Sequence, residues 1–358
     1  MIVIYILSSI ALVALLFVAA VVIYTKTHPQ FGGKHTAIDD ERFKSSKHWN
    51  GKIFENRIPV VMDMNLSKVP QLIAERRRTK KMSRPQEEIV MTPFNKSAFL
   101  NNPEPQFIWY GHSVILMRIE GKTIFIDPMM GDNASPIAPF KTERFTKGTL
   151  ELIDDLPEID ILCMSHDHYD HLDYHSIQKL KHKTKHFYTA YGVAKHLRRW
   201  GVDDSKITEM DWQDEIQIDS VKLIFTESRH FSGRGFSDRF KCLWGGWIVE
   251  TASTKIYWSG DGGYGPHFKE IGEKYGPFDV GFMECGQYNP NWKDIHLTPE
   301  ESVQAAIDAK VKNAMPVHCM GFALATHPWQ EPVEKFYASA AINKLKTIAP
   351  KIGAMNEI

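Results

Sequence analysis

The sequence lacks the features that would indicate several classes of protein. Its 358 residues carry 43 basic and 43 acidic side chains, so net charge gives no support for nucleic acid as a partner. The four cysteines are far apart, form no Cys-x-x-Cys pair and are typical of buried free thiols in a chain of this size. No short-period repeat is present. With 43% hydrophobic and 24% charged residues, the composition predicts a globular core rather than disorder.

Charged side chains are also absent from residues 1–24, where Ile, Leu, Val and Ala dominate. At ~1.5 Å per residue, a helix of this length crosses a bilayer core of ~30 Å. A cleaved signal peptide is the alternative, but no Lys or Arg precedes the apolar run, which continues past Ala19 and Ala20. The nearby basic residues begin at Lys26, which predicts a cytoplasmic soluble part. We interpret residues 1–25 as a single-pass transmembrane anchor.

Residues 26–105 show no long periodic pattern, and we interpret them as an N-terminal extension that packs on, or leads into, the following domain. Residues 75–81 form a basic run within this extension. A solvated helix face is one interpretation of the run. The other is a patch that attracts anionic lipid headgroups, at ~1 kcal/mol for each basic residue near the surface.

From Phe107 onward, apolar runs separated by turn residues predict strands, and stretches with 3.6-residue spacing predict helices. Thr298 is predicted to cap a helix, because a proline and an acidic pair follow it. We assign residues 106–358 to one domain. The strands are predicted at 107–110, 114–119, 123–126, 159–164, 216–218, 221–226, 247–249, 255–258 and 280–283, and the helices at 172–181, 191–200 and 267–274, from Thr298 and from about Pro332.

The densest chemical signal is in residues 165–171, between the predicted strand 159–164 and the predicted helix 172–181. A loop in this position can direct several side chains at one centre. Imidazole and carboxylate ligands suit zinc, and their density exceeds what one tetrahedral site needs. A histidine-rich surface loop is the alternative, but the spacing behind a buried strand favours a metal site. The candidate ligands are His166, His168, Asp170 and His171.

This motif resembles that of the metallo-β-lactamase superfamily of binuclear metallohydrolases, and the similarity extends from about Phe107 to Phe336. Within the superfamily the chain is most similar to N-acylphosphatidylethanolamine-hydrolysing phospholipase D and its bacterial relatives, which shade into L-ascorbate-6-phosphate-lactonase-like proteins. The resemblance implies an α/β (α+β) fold, the αββα four-layer sandwich, here preceded by one transmembrane helix. The stretches that carry it are Trp109-Tyr110-Gly111-His112-Ser113, Ile126-Asp127-Pro128, Ser228-Arg229-His230 and Ser259-Gly260-Asp261.

The resemblance also implies three ligands beyond the motif. His230 matches the family's third histidine of the first metal site, Asp261 its bridging carboxylate, and His318 the last histidine of the second site. The implied cofactor is a pair of Zn²⁺ ions, or zinc with iron, holding a bridging hydroxide. His168 stands where related oxygen reductases have glutamate, which favours hydrolysis. The full implied set is His166, His168, Asp170, His171, His230, Asp261 and His318.

Four residues are candidates for catalysis or substrate binding. Asp170 is expected both to bind metal and to hydrogen-bond the nucleophile. His296 matches a histidine beside the family's active site and would polarise the scissile group or protonate the leaving oxygen; alternatively it is a polar residue preceding a helix. Arg234, in a glycine-flanked loop, suits phosphate or carboxylate recognition because its planar fork makes bidentate contacts. His327 is the second candidate for substrate binding.

Three functions fit these observations. The first is a membrane-anchored zinc phosphodiesterase that cleaves N-acyl phospholipids into phosphatidic acid and an N-acylethanolamine. The second is a metal-dependent lactonase or carboxyl-ester hydrolase acting on a small, sugar-phosphate-like substrate. The third is a non-catalytic metal-binding scaffold, which the complete ligand set disfavours. The expected partners are a phospholipid or small-molecule substrate and the membrane, without nucleic acid; the sequence leaves the oligomeric state open.

Overall fold

The N-terminal apolar segment forms one long helix. In the computed structural model, which describes residues 1–62, 66–136 and 141–358, helix α1 spans Ile2–Thr27. Its stretch Ile4–Thr27 is long and apolar enough to cross a membrane, and its most apolar window is not buried against the rest of the chain. Both a membrane anchor and a signal sequence have this composition.

Two seven-stranded sheets form the centre of the remaining chain. The first begins with antiparallel pairs and continues with parallel ones. Its strands are β1 (Gln106–Trp109), β2 (Ile115–Ile119), β3 (Lys122–Ile126), β4 (Ile159–Met164), β5 (Thr184–Ala190) and β6 (Ile207–Met210), with the chain-end strand β14 (Met355–Glu357) beside β1.

The second sheet repeats this arrangement, with three antiparallel pairs followed by three parallel ones. Since β8, β10 and β12 run in the same direction, their carboxyl ends lie along one edge. The strands, in sheet order, are β7 (Glu215–Ile218), β8 (Val221–Thr226), β9 (Gly246–Glu250), β10 (Lys255–Trp258), β11 (Phe278–Glu284), β12 (Val311–Val317) and β13 (Lys346–Thr347).

Helices flank both sheets, so the predicted αββα sandwich is confirmed. Helices α6 and α7 lie in the crossovers between the parallel strands β4, β5 and β6, while α8, α9 and α10 cover the second sheet. The helices after α1 are α2 (Ala37–Phe43), α3 (Val69–Thr79), α4 (Lys96–Asn101), α5 (Thr149–Leu152), α6 (Tyr174–Leu180), α7 (Ala194–Arg199), α8 (His267–Lys274), α9 (Pro299–Asp308) and α10 (Glu331–Ile342).

Apolar side chains between the sheets hold the two halves together. Phe107 of β1 and Phe282 of β11 are fully buried, and their ring centroids lie 5.0 Å apart across the interface. Burying a side chain of this size contributes roughly 1.5–3 kcal/mol. The predicted cap of α9 is also present: Thr298 accepts from the Glu301 backbone N–H, and the Glu301 carboxylate accepts from Thr298 N–H.

The structure contains strands that the sequence analysis did not predict: β5, β6, β12, β13 and β14. Strand β5 begins Thr-Lys-His, and its Lys185 is exposed, so the apolar run that identifies a buried strand is short. It forms because β4 and β6 supply hydrogen-bonding partners on both sides. Both residues of β13, Lys346 and Thr347, are exposed, and this strand depends on its pairing with β12.

The extension preceding β1 lies against the sandwich. The Asn56 side chain donates to the backbone carbonyl of His230 at 2.8 Å and accepts from its N–H at 3.2 Å. Arg57 forms ion pairs with Glu227 and Glu270 at 2.7 and 2.6 Å. The extension therefore touches the segment that carries a predicted metal ligand, while the boundaries at residues 25/26 and 105/106 stay predictions.

Candidate metal centre

All seven predicted ligands meet at one edge of the two sheets. Four come from the loop that follows β4, and three follow β8, β10 and β12 of the second sheet. Gly260 gives Asp261 its position: its φ is +68°, and an added Cβ would lie 2.4 Å from the Gly245 carbonyl oxygen. The ligand atoms form two groups, one of His166, His168 and His230 and one of Asp170, His171 and His318, with Asp261 adjoining the second.

The first group has the spacing of ligands around one ion. His168 Nδ1 lies 2.9 Å from His166 Nε2 and 3.2 Å from His230 Nε2. Nitrogens bound tetrahedrally to zinc at 2.0–2.1 Å stand ~3.3 Å apart. Burial and neighbouring imidazoles hold the pKa of His166 and of His230 well below the usual value, so these rings are neutral, the form that binds metal.

Hydrogen bonds behind this group determine which nitrogen is free. The Ser165 hydroxyl donates to Asp127 Oδ2 at 2.6 Å, so its oxygen accepts the Nδ1–H of His166 at 2.8 Å. His230 Nδ1 donates to the Ile295 carbonyl at 2.9 Å. Both rings therefore direct an Nε2 lone pair toward His168. Partners of this kind orient the histidines of metal sites.

The second group combines imidazoles with carboxylates. His171 Nε2 lies 3.0 Å from Asp261 Oδ2 and 3.6 Å from Asp170 Oδ2, and its Nδ1 donates to Asp127 at 2.8 Å. Burial lowers the pKa of His171, but the carboxylates of Asp261 and Asp170 outweigh it and raise that pKa well above its usual value. The buried Asp261 Oδ1 has no hydrogen-bond donor in the described part of the chain. This excess of acceptors fits a cation.

His112 and Asp127 belong to the site, although the sequence analysis did not assign them a role. His112 is fully buried, and its Nε2 lies 2.9 Å from Asp170 Oδ2. Its backbone pairs with the loop of the last ligand, because His318 N–H donates to the His112 carbonyl at 3.0 Å. His112 and His318 have positive φ angles, +54° and +61°, a strained conformation typical of functional sites. The sequence contained a signal for both His112 and Asp127, since each lies in a stretch on which the family resemblance rests.

His296 faces the metal centre and is held by a buried carboxylate. Its Nδ1 lies 2.9 Å from Glu284 Oε1, and Glu284 Oε2 accepts from the Leu297 N–H at 2.7 Å. Burial raises the pKa of Glu284 to about 7. Burial also lowers the pKa of His296, but its hydrogen bond to Glu284 and that residue's charge raise it above the usual value. The predicted position of His296 beside the site is therefore observed, whereas Glu284 was missed.

A cavity of about 220 Å³ opens over the second metal group and His296. Histidine and carboxylate side chains form its floor, and Gln287 adds an amide. The remaining wall is apolar, so a substrate that leaves polar atoms at the floor can place hydrocarbon against the sides. The apolar residues are Met62, Phe231, Trp292, Ile295 and Leu324.

Arg234 does not line this cavity, contrary to its predicted role. Its side chain is buried at 4% exposure. Nη1 donates to the carbonyls of Asp167 and Leu172 at 2.6 and 2.8 Å, and Nε and Nη2 donate to the Gln30 carbonyl at 3.0 and 2.7 Å. The guanidinium also stacks over the Tyr169 ring at 3.9 Å. Arg234 thus ties the metal-ligand loop to the chain that follows α1, and the structure gives no support for substrate binding.

His327 is likewise engaged by the protein. Its Nε2 accepts from the Gln287 N–H at 3.0 Å, and its Nδ1 donates to the Pro328 carbonyl at 2.9 Å. The ring stacks on Tyr288 with centroids 4.6 Å apart. With both nitrogens occupied, His327 positions Gln287 at the cavity rather than contacting substrate itself.

Paired imidazole and carboxylate groups below an apolar cavity, on an αββα frame, define a metal-dependent hydrolase. The chain belongs to the metallo-β-lactamase superfamily, because the family model described as a beta-lactamase superfamily domain matches residues 122–319.

Two relatives place the chain within this family. An uncharacterized protein of Mycobacterium tuberculosis is 38% identical over 249 residues, which cover 68% of this chain and 66% of that protein. The N-acyl-phosphatidylethanolamine-hydrolyzing phospholipase D 1 of Caenorhabditis elegans is 30% identical over 240 residues, 63% of this chain and 67% of that one.

A solved metallo hydrolase from the archaeon Ignicoccus hospitalis superposes with a TM-score of 0.54 at 19% identity, covering 71% of this chain and 98% of that one. This likeness supports the fold.

Proposed function

We propose that this protein is a membrane-anchored phosphodiesterase that acts on N-acyl phospholipids. The observation that carries the proposal is the cavity, because an apolar wall above a histidine and carboxylate floor suits a phosphate ester attached to hydrocarbon. The name of the nematode relative supports the same substrate class. The positive-inside tendency favours a cytoplasmic location for the domain.

The side chains of the site have separate roles in the proposed reaction. When bound, two divalent ions, zinc or zinc with iron, supply a nucleophilic hydroxide near neutral pH and neutralise charge on the phosphoryl oxygens. Asp170, held by His112 at 2.9 Å, orients the attacking water through its carboxylate. His296 donates a proton from Nε2 to the leaving alkoxide of the N-acylethanolamine. Glu284, 2.9 Å from His296 Nδ1, keeps the ring aimed and stabilises its charged form.

A lactone or small carboxyl ester is the second candidate substrate. The cavity volume of about 220 Å³ favours it, since drug-sized ligands usually occupy ~300–1,000 Å³. The two substrates differ in the charge that develops, because a phosphodiester carries negative charge on two oxygens and a lactone develops one oxyanion.

A hydrolysis screen of the purified full-length protein tests the proposal. We expect release of N-acylethanolamine from N-acylphosphatidylethanolamine, measured by mass spectrometry, to exceed lactone opening at equal concentration by about tenfold or more, a difference of ~1.4 kcal/mol in barrier. Rapid lactone turnover without cleavage of any phosphodiester would favour the second candidate. A metal-loaded protein that hydrolyses neither would be a scaffold.

Contacts at the end of α1 support its role as a retained anchor. The Tyr24 hydroxyl donates to the Pro136 carbonyl at 2.7 Å, and Trp200 Nε1 donates to the Pro29 carbonyl at 2.7 Å. The Gly33 N–H donates to His196 Nδ1 at 3.1 Å. Signal-peptide cleavage close to this point would remove part of a docked segment.

Deleting residues 2–22 is therefore expected to release the protein from membranes and to leave hydrolysis of a short-chain soluble substrate nearly unchanged. Activity on vesicles should fall more than activity on micelles, because only the vesicle assay needs the anchor. Deleting residues 2–35 should lower the melting temperature as well, since it removes Gln30 and Gly33 from their contacts. Full-length protein that salt alone washes from membranes would rule out a membrane span.

A further inference from the structure

A second concave surface lies along one side of α3 and has a volume of about 480 Å³. We name it the basic groove. Five of its lining side chains are cationic and one is anionic, a formal excess of four positive charges. These charged residues are Arg76, Arg77, Lys80, Arg84, Lys141 and Glu143.

The cations of the basic groove are poorly neutralised by the protein. Arg76, Arg77 and Lys80 are exposed, and within residues 1–62, 66–136 and 141–358 they have no carboxylate partner. Arg84 and Lys141 share the carboxylate of Glu143, at 3.5 and 3.9 Å. Crowded like charges repel one another, so an anion in the groove would relieve the repulsion. Arginine forks favour phosphate oxygens, which they can contact at two points.

The basic groove shares a wall with the metal cavity. Ala323 and Ala325 line the groove, while Leu324 between them lines the cavity. Gln287 accepts from the backbone N–H groups of Leu324 and Ala325, each at 2.9 Å, and so holds the wall in place from the cavity side. A ligand in the groove would therefore lie one residue away from the space where substrate is cleaved.

The basic groove also lies near the end of α1. Tyr24, in the last turns of that helix, contacts Pro136, and Lys141 follows Pro136 by five residues. Because an extended chain covers at most ~3.6 Å per residue, the Cα atoms of Pro136 and Lys141 lie within ~18 Å of each other. Ile73 and Met82, on or beside α3, are 48% and 51% exposed. Apolar side chains beside cations are typical of surfaces that rest in the headgroup layer.

We propose that the basic groove binds the headgroup phosphate of an anionic phospholipid in the bilayer that holds α1. This inference rests on the proposed anchor and deepens the proposed function, because it places an anionic lipid beside the catalytic cavity. It also separates the basic run into two parts. Arg76, Arg77 and Lys80 line the groove, whereas Arg78 lies in a hollow on the other side of α3 with Glu75.

Binding of short-chain lipids to the full-length protein in nonionic detergent tests this inference. We expect dihexanoyl phosphatidylglycerol to bind and dihexanoyl phosphatidylcholine to bind at least tenfold more weakly. In Arg76→Gln/Arg77→Gln/Lys80→Gln, affinity for the anionic lipid should fall on the order of 100-fold, at roughly fivefold for each charge. Calorimetry or native mass spectrometry measures both affinities.

The matched control is Lys310→Gln/Lys344→Gln/Lys346→Gln, which removes the same charge from exposed lysines outside the groove and should retain binding. Equal losses in the two triple variants, or equal affinity for both lipids, would overturn the inference. Displacement of the lipid by an equal concentration of inorganic phosphate would reduce the groove to a simple anion site and also overturn it.

Hydrolysis of bis(p-nitrophenyl) phosphate separates this inference from the proposed function. The groove variant should hydrolyse this soluble diester at the wild-type rate, because the substituted residues do not line the metal cavity. If the wild-type protein hydrolyses no phosphodiester, the proposed function is wrong. The lipid-binding measurement still decides whether the basic groove binds an anionic lipid.

Discussion

Replacing Asp261 by alanine is expected to lower metal content and hydrolysis together, with kcat/KM falling by about 10³-fold or more, a loss of ~4 kcal/mol in transition-state stabilisation. The carboxylate lies 3.0 Å from His171 Nε2, and its second oxygen has no donor in the described part of the chain. His168→Ala should behave similarly, because His168 Nδ1 lies between the two facing nitrogens of the first group. Elemental mass spectrometry and steady-state kinetics measure both effects.

His175→Ala provides the matched control for these variants. His175 is exposed on α6, four residues beyond His171, so its loss should change neither metal content nor activity. Chelation should inactivate the wild type, and added zinc should restore it, because the ligands contribute to catalysis through the ions they hold. Wild-type protein that stays fully active with no measurable metal would contradict the assignment of the centre.

His296→Ala should slow substrates with poor leaving groups by roughly 10²–10³-fold and p-nitrophenyl esters much less, because an activated leaving group needs no proton. Glu284→Gln should also slow substrates with poor leaving groups more than p-nitrophenyl esters, but its loss of rate should be smaller than that of His296→Ala. Glutamine keeps a hydrogen-bond acceptor near Nδ1 but removes the charge that raises the pKa of His296. The alkaline limb of the kcat–pH profile should therefore move to lower pH in Glu284→Gln, since the acid form of His296 would be lost earlier as pH rises.

The leaving-group series decides whether His296 is the general acid. Equal losses on alkyl and p-nitrophenyl substrates would remove it from that role and leave only a positioning effect. An unchanged pH profile in Glu284→Gln would show that the carboxylate does not control protonation of the ring. The two variants thus test separate statements about one buried pair.

The metal-ligand loop could be predicted because its information is local. Four ligand side chains within six residues, preceded by the buried strand β4, restrict the possible geometries of the loop to a few. The uncharged, mainly apolar run of α1 and the cap of α9 are local signals of the same kind. His230, Asp261 and His318 needed the resemblance as well, because single residues after strands carry little information.

Roles that depend on distant contacts could not be predicted. The sequence around Arg234 predicts an anion-binding side chain. In the structure its guanidinium instead donates to the carbonyl of Gln30, 204 positions away, and to the metal-ligand loop. His327 is occupied by Gln287 in the same way. Strand β13 exists only because β12 offers its edge.

The sequence by itself determined the apolar first helix, the order of most strands and the chemical nature of the ligands. The tertiary structure alone decided which polar groups face the cavity and which satisfy buried backbone. Glu284 became part of the site only when folding placed it 2.9 Å from His296 and away from water. The physical reason is that a buried polar side chain must form hydrogen bonds, and its partners determine its role. The fold brings those partners from distant parts of the chain.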